Sequence, residues 1–222
     1  MTCPPADQIL SALGQQNPGR VIPLAFHVDF WNQLGWKDPF SRHAWTERQE
    51  AYSRALRVGR IYTPQAVVNG RSEMIGSDAN RLLSSITNAA ARPAATIGLE
   101  LAPADSRVSV RAQVDLPEEL QGRKLDLMVA VFETGLVTAV GRGENGGKTL
   151  HNDYVVRELR KVGRLAPKGL PKTQHAADIE LEKEWDRGKL GFAAFVQDPA
   201  SLEILGASSA LLAAPPSERS GS

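Results

Sequence analysis

A single cysteine, Cys3, stands just ahead of Pro4-Pro5 and a helical pattern, in a chain of 222 residues that has no other cysteine. Proline suits the first turn of a helix, because the N–H it lacks would have no partner there. A thiol at that point sits at the positive end of the helix dipole, which lowers its pKa and raises the thiolate fraction. Thiolate is the attacking species in disulfide exchange; the alternative is a capping-region residue without chemistry. A second group, "HVDFWNQLGWKDPF" (27–40), leaves the end of an apolar run. Alternation along that run sets His27 and Asp29 on one face, with Trp31 and Trp36 following in a loop. His-x-Asp offers an acid–base pair or two metal ligands, yet His43, His151 and His175 supply no second ligand spacing, so no metal is expected. Asp29 then reads as polar support for the loop and the tryptophans as packing. A third group is glycine-rich, "GRGENGGKTLHND" (141–153), where Arg142, Glu144, Asn145, His151 and Asp153 can converge. It lacks the Gly-Lys-Ser/Thr of a phosphate-binding loop. It reads as a structural loop entering a strand or short helix at 154–159, with shaping the cleft of the first half as its other role. No cofactor is expected.

The elements that must position these residues change character near residue 95. Ala6, Ile9, Leu10 and Leu13 share one face of a short helix, stopped by Gly14 and Asn17-Pro18-Gly19. "VIPLAFHVDF" (21–30) is nearly all apolar and reads as a strand buried on both faces. A helix follows over 41–57, with Ser41 as N-cap and Gly59 as its stop. "QAVVNGRSEMI" (65–75) is a hairpin turning at Asn69-Gly70. Ser77 or Asp78 caps a third helix with Ala79, Leu82, Leu83 and Ile86 inward, and 89–95 is a linker. One strand placed ahead of this order would give the thioredoxin arrangement. In that arrangement a cis-proline follows the second helix, so Thr63-Pro64 is expected cis, presenting the Thr63 backbone to an incoming extended chain or disulfide.

From Thr96 the period becomes two. Val108, Val110, Ala112 and Val114 alternate with polar residues, as do Leu125, Leu127, Val129 and Val131. Segments 175–185 and 189–198 read as further strands, giving an antiparallel sandwich or barrel. The expected domains are 1–95, thioredoxin-like without its first strand; 96–213, β-rich and sandwich-like; and a disordered tail, 214–222. Net charge is +1, so no electrostatic field argues for nucleic acid or an anionic membrane, and "RELRKVGR" (157–164) reads as a solvated face. No apolar run approaches a membrane span.

"CPPAD", "AFHVDFWNQLGWKDPF", "RQEAYSRAL" and "IYTPQAVVNGR", with "GRGENGGKTLHNDYVVRELR" and "FVQDPASLEILGA" in the second half, resemble a bacterial thioredoxin-like family of unassigned function, DUF1223. The resemblance covers nearly the whole chain. It implies a thioredoxin-like first domain, a β-rich second domain and export from the cytoplasm. It also implies a Cys-x-x-Cys-Pro-Pro-Ala-Asp motif after a first strand, in which Cys3 occupies the second, resolving position. The first strand, the first cysteine and a signal segment are absent from the chain as written. We therefore expect the true start to lie upstream of Met1, and the protein to be periplasmic or secreted in that case.

Function follows as two expectations. The first is thiol–disulfide exchange on protein thiols, disulfides or small thiols, through Cys3, Thr63 and Pro64, with His27, Asp29 and Trp31 supporting the cleft and Arg142, Glu144 and Asn145 in the loop of the second domain. With one cysteine this polypeptide forms a mixed disulfide but closes no internal one. The alternative is a non-catalytic binding module for an extended protein segment.

Overall fold

The computed structural model describes residues 4–141, 143, 146–165 and 171–213. Cys3, the three loop residues Arg142, Glu144 and Asn145, and the tail from Ala214 lie outside them. The result is a mixed α/β structure whose sheets are antiparallel, with no barrel.

Three helices and one hairpin make up the first part. Helix α1 (Pro4–Gln16) begins on its two prolines. Helix α2 (His43–Ala55) starts two residues later than the sequence suggested, with Arg42 at the N-cap position and no side-chain cap. Ser41 is otherwise engaged: its Oγ donates to the Asp38 carbonyl and accepts from Asn32 Nδ2. Strands β1 (Gln65–Val68) and β2 (Ser72–Ile75) pair antiparallel, and Asn69 and Gly70 take the positive φ values (47° and 68°) that their turn requires. Helix α3 (Ala79–Ala90) is capped by Asp78, whose carboxylate accepts from the Arg81 amide. Its inward face is narrower than expected. Leu82 is buried, whereas Ala79 and Leu83 face solvent.

The apolar run 21–30 corrects a second expectation. It is extended, but it forms a single parallel bridge, Ala25 to Val155, and Ile22, Leu24 and Phe26 stay only half-buried. Apolar content made it look like a sheet strand; the missing ingredient is a neighbour on its other edge.

The second part holds two sheets that share a core. One has the order β11 (Ile204–Leu211), β10 (Leu190–Gln197), β5 (Leu125–Glu133), β8 (Val155–Leu165); the other is β3 (Thr96–Pro103), β4 (Arg107–Asp115), β9 (Lys172–Glu180). Val108, Val110, Ala112 and Val114 of β4 all point into the core with Leu127, Val129 and Phe192 from the opposite sheet, as the period of two demands. A small hairpin, β6 (Leu136–Ala139) with β7 (Thr149–Asn152), brackets the glycine-rich loop.

β5 and β10 are buried on both faces instead of alternating. Their outer face carries Ala130, Phe132, Ala193 and Phe195, which pack against Trp45 of α2 and against Ile22, Leu24 and Phe26. The sheet is thus the floor on which the first part rests. The basic run 157–164 is also less solvated than expected. Arg157 is largely covered, 3.2 Å from the buried carboxylate of Glu133 and stacked over Phe40 and Trp185, while Lys161 and Arg164 hold Asp126.

Candidate functional site

The first turn of α1 ends beside the Thr63-Pro64 peptide, which is cis. The contact is close: a Cβ built on Gly76 would lie 3.3 Å from Pro64 Cβ and 3.4 Å from Ala6 Cβ, so all three meet at one point. The Pro64 carbonyl accepts from the Gly76 amide (2.9 Å), which fixes Pro64 at the base of the hairpin. Trp31 reaches across from the 29–42 loop, and its Nε1 donates to Thr63 Oγ1 at 2.9 Å. Trp31 is therefore a hydrogen-bonding partner of the Thr-Pro element, more than the packing group its type alone suggested.

His27 and Asp29 do not act together. The chain bends at Asp29, which turns its carboxylate toward α2. There Oδ1 accepts from Thr46 Oγ1 (2.6 Å) and Oδ2 lies 3.2 Å from His43 Nδ1. The Thr46 hydroxyl, and then His43, hold the Asp29 carboxyl below its usual range. An anion at the start of a helix is also favoured by the helix dipole, so Asp29 anchors the start of α2.

The partner of His27 is Asp38, which sequence reasoning missed. His27 Nδ1 lies 2.7 Å from Asp38 Oδ2, and both groups are buried. Asp38 Oδ1 accepts from the Phe40 amide, and its own amide donates to Asn32 Oδ1. Burial raises the Asp38 pKa, but the His27 hydrogen bond and charge and the Phe40 amide outweigh it, and the carboxyl titrates below its usual value. An ionised Asp38 makes His27 Nδ1 the donor.

Asp7 of α1 is the third ionisable group here, also missed. Burial raises its pKa to about 6; the His27 charge works against that rise and the Asp38 charge adds to it. Asp7, His27, Asp38, Thr63 and Pro64 line one cavity of about 710 Å³. Both omissions share a cause. Asp7 within a helix and Asp38 in a "KDPF" loop look like ordinary surface carboxylates until the fold closes over them.

The glycine-rich loop does reach this region, since a Cβ on Gly143 would lie 3.4 Å from Trp36 Cβ and 3.3 Å from the Leu34 carbonyl. Among the described residues no group of three or more His, Cys, Asp or Glu is placed to hold a metal ion. No helix among them is long and apolar enough to cross a membrane.

The family model described as "Protein of unknown function (DUF1223)" matches residues 1–197. The chain belongs to this family. An Agrobacterium tumefaciens protein of known crystal structure is similar to the DUF1223 chain at 27% identity, with a TM-score of 0.74, covering 96% of this chain and 89% of its own. A further similar structure is HBP35 of Porphyromonas gingivalis, at 14% identity and a TM-score of 0.55, covering 81% of this chain and 62% of that one; it speaks to fold alone. No curated protein matches the DUF1223 chain.

Proposed function

We propose that this protein is a thioredoxin-type unit for thiol–disulfide exchange, with Cys3 as its thiol and the Thr63-Pro64 element as its docking edge. The observation that carries this reading is the meeting of the first turn of α1, which continues directly from Cys3, with Pro64, the half-buried Asp7 and the buried His27–Asp38 pair. The order helix, extended segment, helix, hairpin, helix supports it.

The Cys3 thiolate attacks one sulfur of a protein or small-molecule disulfide. A mixed disulfide forms and the other sulfur leaves as thiolate. A second thiol then attacks the mixed disulfide and returns Cys3 as thiolate. Asp7, neutral below about pH 6 and charged above it, sets a charge in the cavity that Pro64 lines. The buried His27–Asp38 pair lines the same cavity.

The experiment is alkylation of Cys3 by iodoacetamide from pH 5 to 9, with mass-spectrometric trapping of its mixed disulfide with glutathione. We expect about tenfold faster alkylation at pH 7 than for an unstructured cysteine peptide, and an inflection near pH 6 that Asp7→Asn removes. Reactivity equal to the peptide's, with a profile that follows an ordinary thiol alone, rules out the reading.

A second reading is a non-catalytic module that binds an extended segment at the Pro64 cleft, favoured by the Trp31–Thr63 hydrogen bond that stiffens its rim. Cys3→Ser separates the two: a binding module keeps its partners and an exchange protein loses its covalent ones.

A further inference from the structure

The 29–42 loop carries Trp31, the partner of Thr63, and Asp38, the partner of His27. Part of what holds this loop comes from the second half of the chain. Phe40 lies between the two. On one side its ring meets the His27 ring nearly at right angles, with centroids 5.7 Å apart, and its amide donates to Asp38 Oδ1 at 2.9 Å. On the other side the guanidinium of Arg157, from β8, lies 5.2 Å from the centre of the same Phe40 ring.

Arg157 is itself tightly placed. Its Nη1 is 3.2 Å from Glu133 Oε2, with only 14% and 3% of the two side chains exposed, and Glu133 Oε1 accepts from the Asp186 amide at 3.0 Å. Trp185 covers the guanidinium at 5.7 Å. The Trp185 Nε1 is buried and has no acceptor among the described residues, so the ring itself is what Trp185 contributes. Arg42, Glu182 and Glu184 are the other charges near Arg157. Arg42 pairs with Glu182 at the exposed rim (3.3 Å), and its amide donates to the His27 carbonyl at 3.1 Å.

Packing alone does not account for an arginine at this point. A buried ion pair gives up the hydration of both charges, and apolar residues of similar volume commonly hold a fold as well or better. A planar guanidinium does what they do not: it binds a carboxylate and covers aromatic faces at once, in one orientation.

We propose that Arg157 is a positioning residue for the His27–Asp38 pair: anchored by Glu133 and Trp185, it fixes the Phe40 ring, and Phe40 fixes the imidazole and the carboxylate against each other. The second part of the molecule is then a component of the cleft as well as its floor. The proposal rests on the thiol reading above only for the use to which the pair is put; its geometry and its test do not involve Cys3.

The test is nuclear magnetic resonance of the whole chain, following exchange of the His27 Nδ1–H with water and the titration of the Asp38 carboxyl carbon. Asp38 faces two other ionisable side chains, His27 and, from α1, Asp7. Phe40→Leu removes the ring and leaves the Arg157–Glu133 pair in place. Arg157→Met with Glu133→Gln removes the guanidinium without stranding a charge, and the glutamine oxygen still accepts from Asp186. We expect His27 Nδ1–H to exchange at least about tenfold faster in both. Asp38 should titrate higher than in the wild type, because burial prevails once its donors loosen. Phe40→Tyr, which keeps the ring, should restore the wild-type behaviour of both signals. The buried amides of Val129 and Ala194 should exchange as in the wild type throughout. Unchanged His27 exchange and Asp38 titration in Phe40→Leu or in the double variant overturns the proposal. Equal acceleration at Val129 and Ala194 overturns it too, since that marks general loosening. If the double variant does not fold, Phe40→Leu decides alone. Alkylation of Cys3 enters neither signal, so this proposal and the thiol reading fail separately.

Discussion

Asp7 and Asp38 are carboxylates near the same histidine, driven in opposite directions. Asp38 has a donor on each oxygen and stays ionised; Asp7 has burial without a bonded donor among the described residues and takes up a proton near pH 6. The sign of its effect on stability follows from linkage. A raised pKa means that the folded state holds the proton more tightly between about pH 4 and pH 6, so stability falls as pH rises across that window. Asp7→Asn should flatten this slope and leave the protein about 1–2 kcal/mol more stable at pH 7, after allowing for the water that reaches the carboxylate; urea denaturation at pH 4, 5, 6 and 7 reads it. Asp38→Ala is the counterpart. It strands a buried imidazole and should cost about 3 kcal/mol of unfolding free energy at pH 7. At this scale the sequence was half legible. Thr63-Pro64 and His27 were found because their types and neighbours are unusual, whereas the partner of His27 depends on a loop closing over 11 residues, which no local pattern reveals.

Among the elements, α1 buries a single residue, Gly14. It packs its Gly14 against the ring of Tyr154, at the turn between β7 and β8, with no room for a side chain at that point. Gly14→Ala should lower stability by about 1–3 kcal/mol despite alanine's higher helix propensity. Tyr154→Leu in the same background should recover part of the loss by making room; chemical denaturation of both variants checks this. The helices and the 65–75 hairpin were legible because periodicity and turn residues are local signals. Three features were not: the N-cap shifted to Arg42 because Ser41 bonds to Asp38, Leu83 turned outward, and segment 21–28 has only one bridged residue. Each depends on what lies opposite, and an apolar run looks the same whether one edge or both are paired.

For the molecule as a whole, Arg48 ties its two parts. Its guanidinium lies 5.2 Å from the Phe26 ring, 5.1 Å from Tyr52 and 6.0 Å from Phe195, and it donates to the Tyr52 hydroxyl, which also accepts from Gln197 Nε2. Arg48→Ala should cost about 2–4 kcal/mol, since desolvated cation–π contacts and a charged hydrogen bond go together. Because the apolar floor of Phe132 and Phe195 is shared, unfolding of the wild type should be one cooperative transition, followed by fluorescence and circular dichroism in parallel. Two separated transitions would show that the parts are energetically independent. The sequence correctly announced a change of period near residue 95. It could not announce that β5 and β10 are covered on their second face, because the covering residues lie some hundred positions earlier.

The tip of the 65–75 hairpin has a consequence of its own. Asn69 accepts from the Ile204 amide, Gly70 leaves no space between itself and the Leu202 carbonyl, and Arg71 is ion-paired with Glu203. The hairpin is therefore a lever whose far end is riveted to the 198–204 turn. Any tilt of its base at Pro64 is passed to that turn, on a surface remote from Cys3 in sequence. A fluorophore on Ser201 would report from outside what happens at the cleft, without touching a residue that lines it.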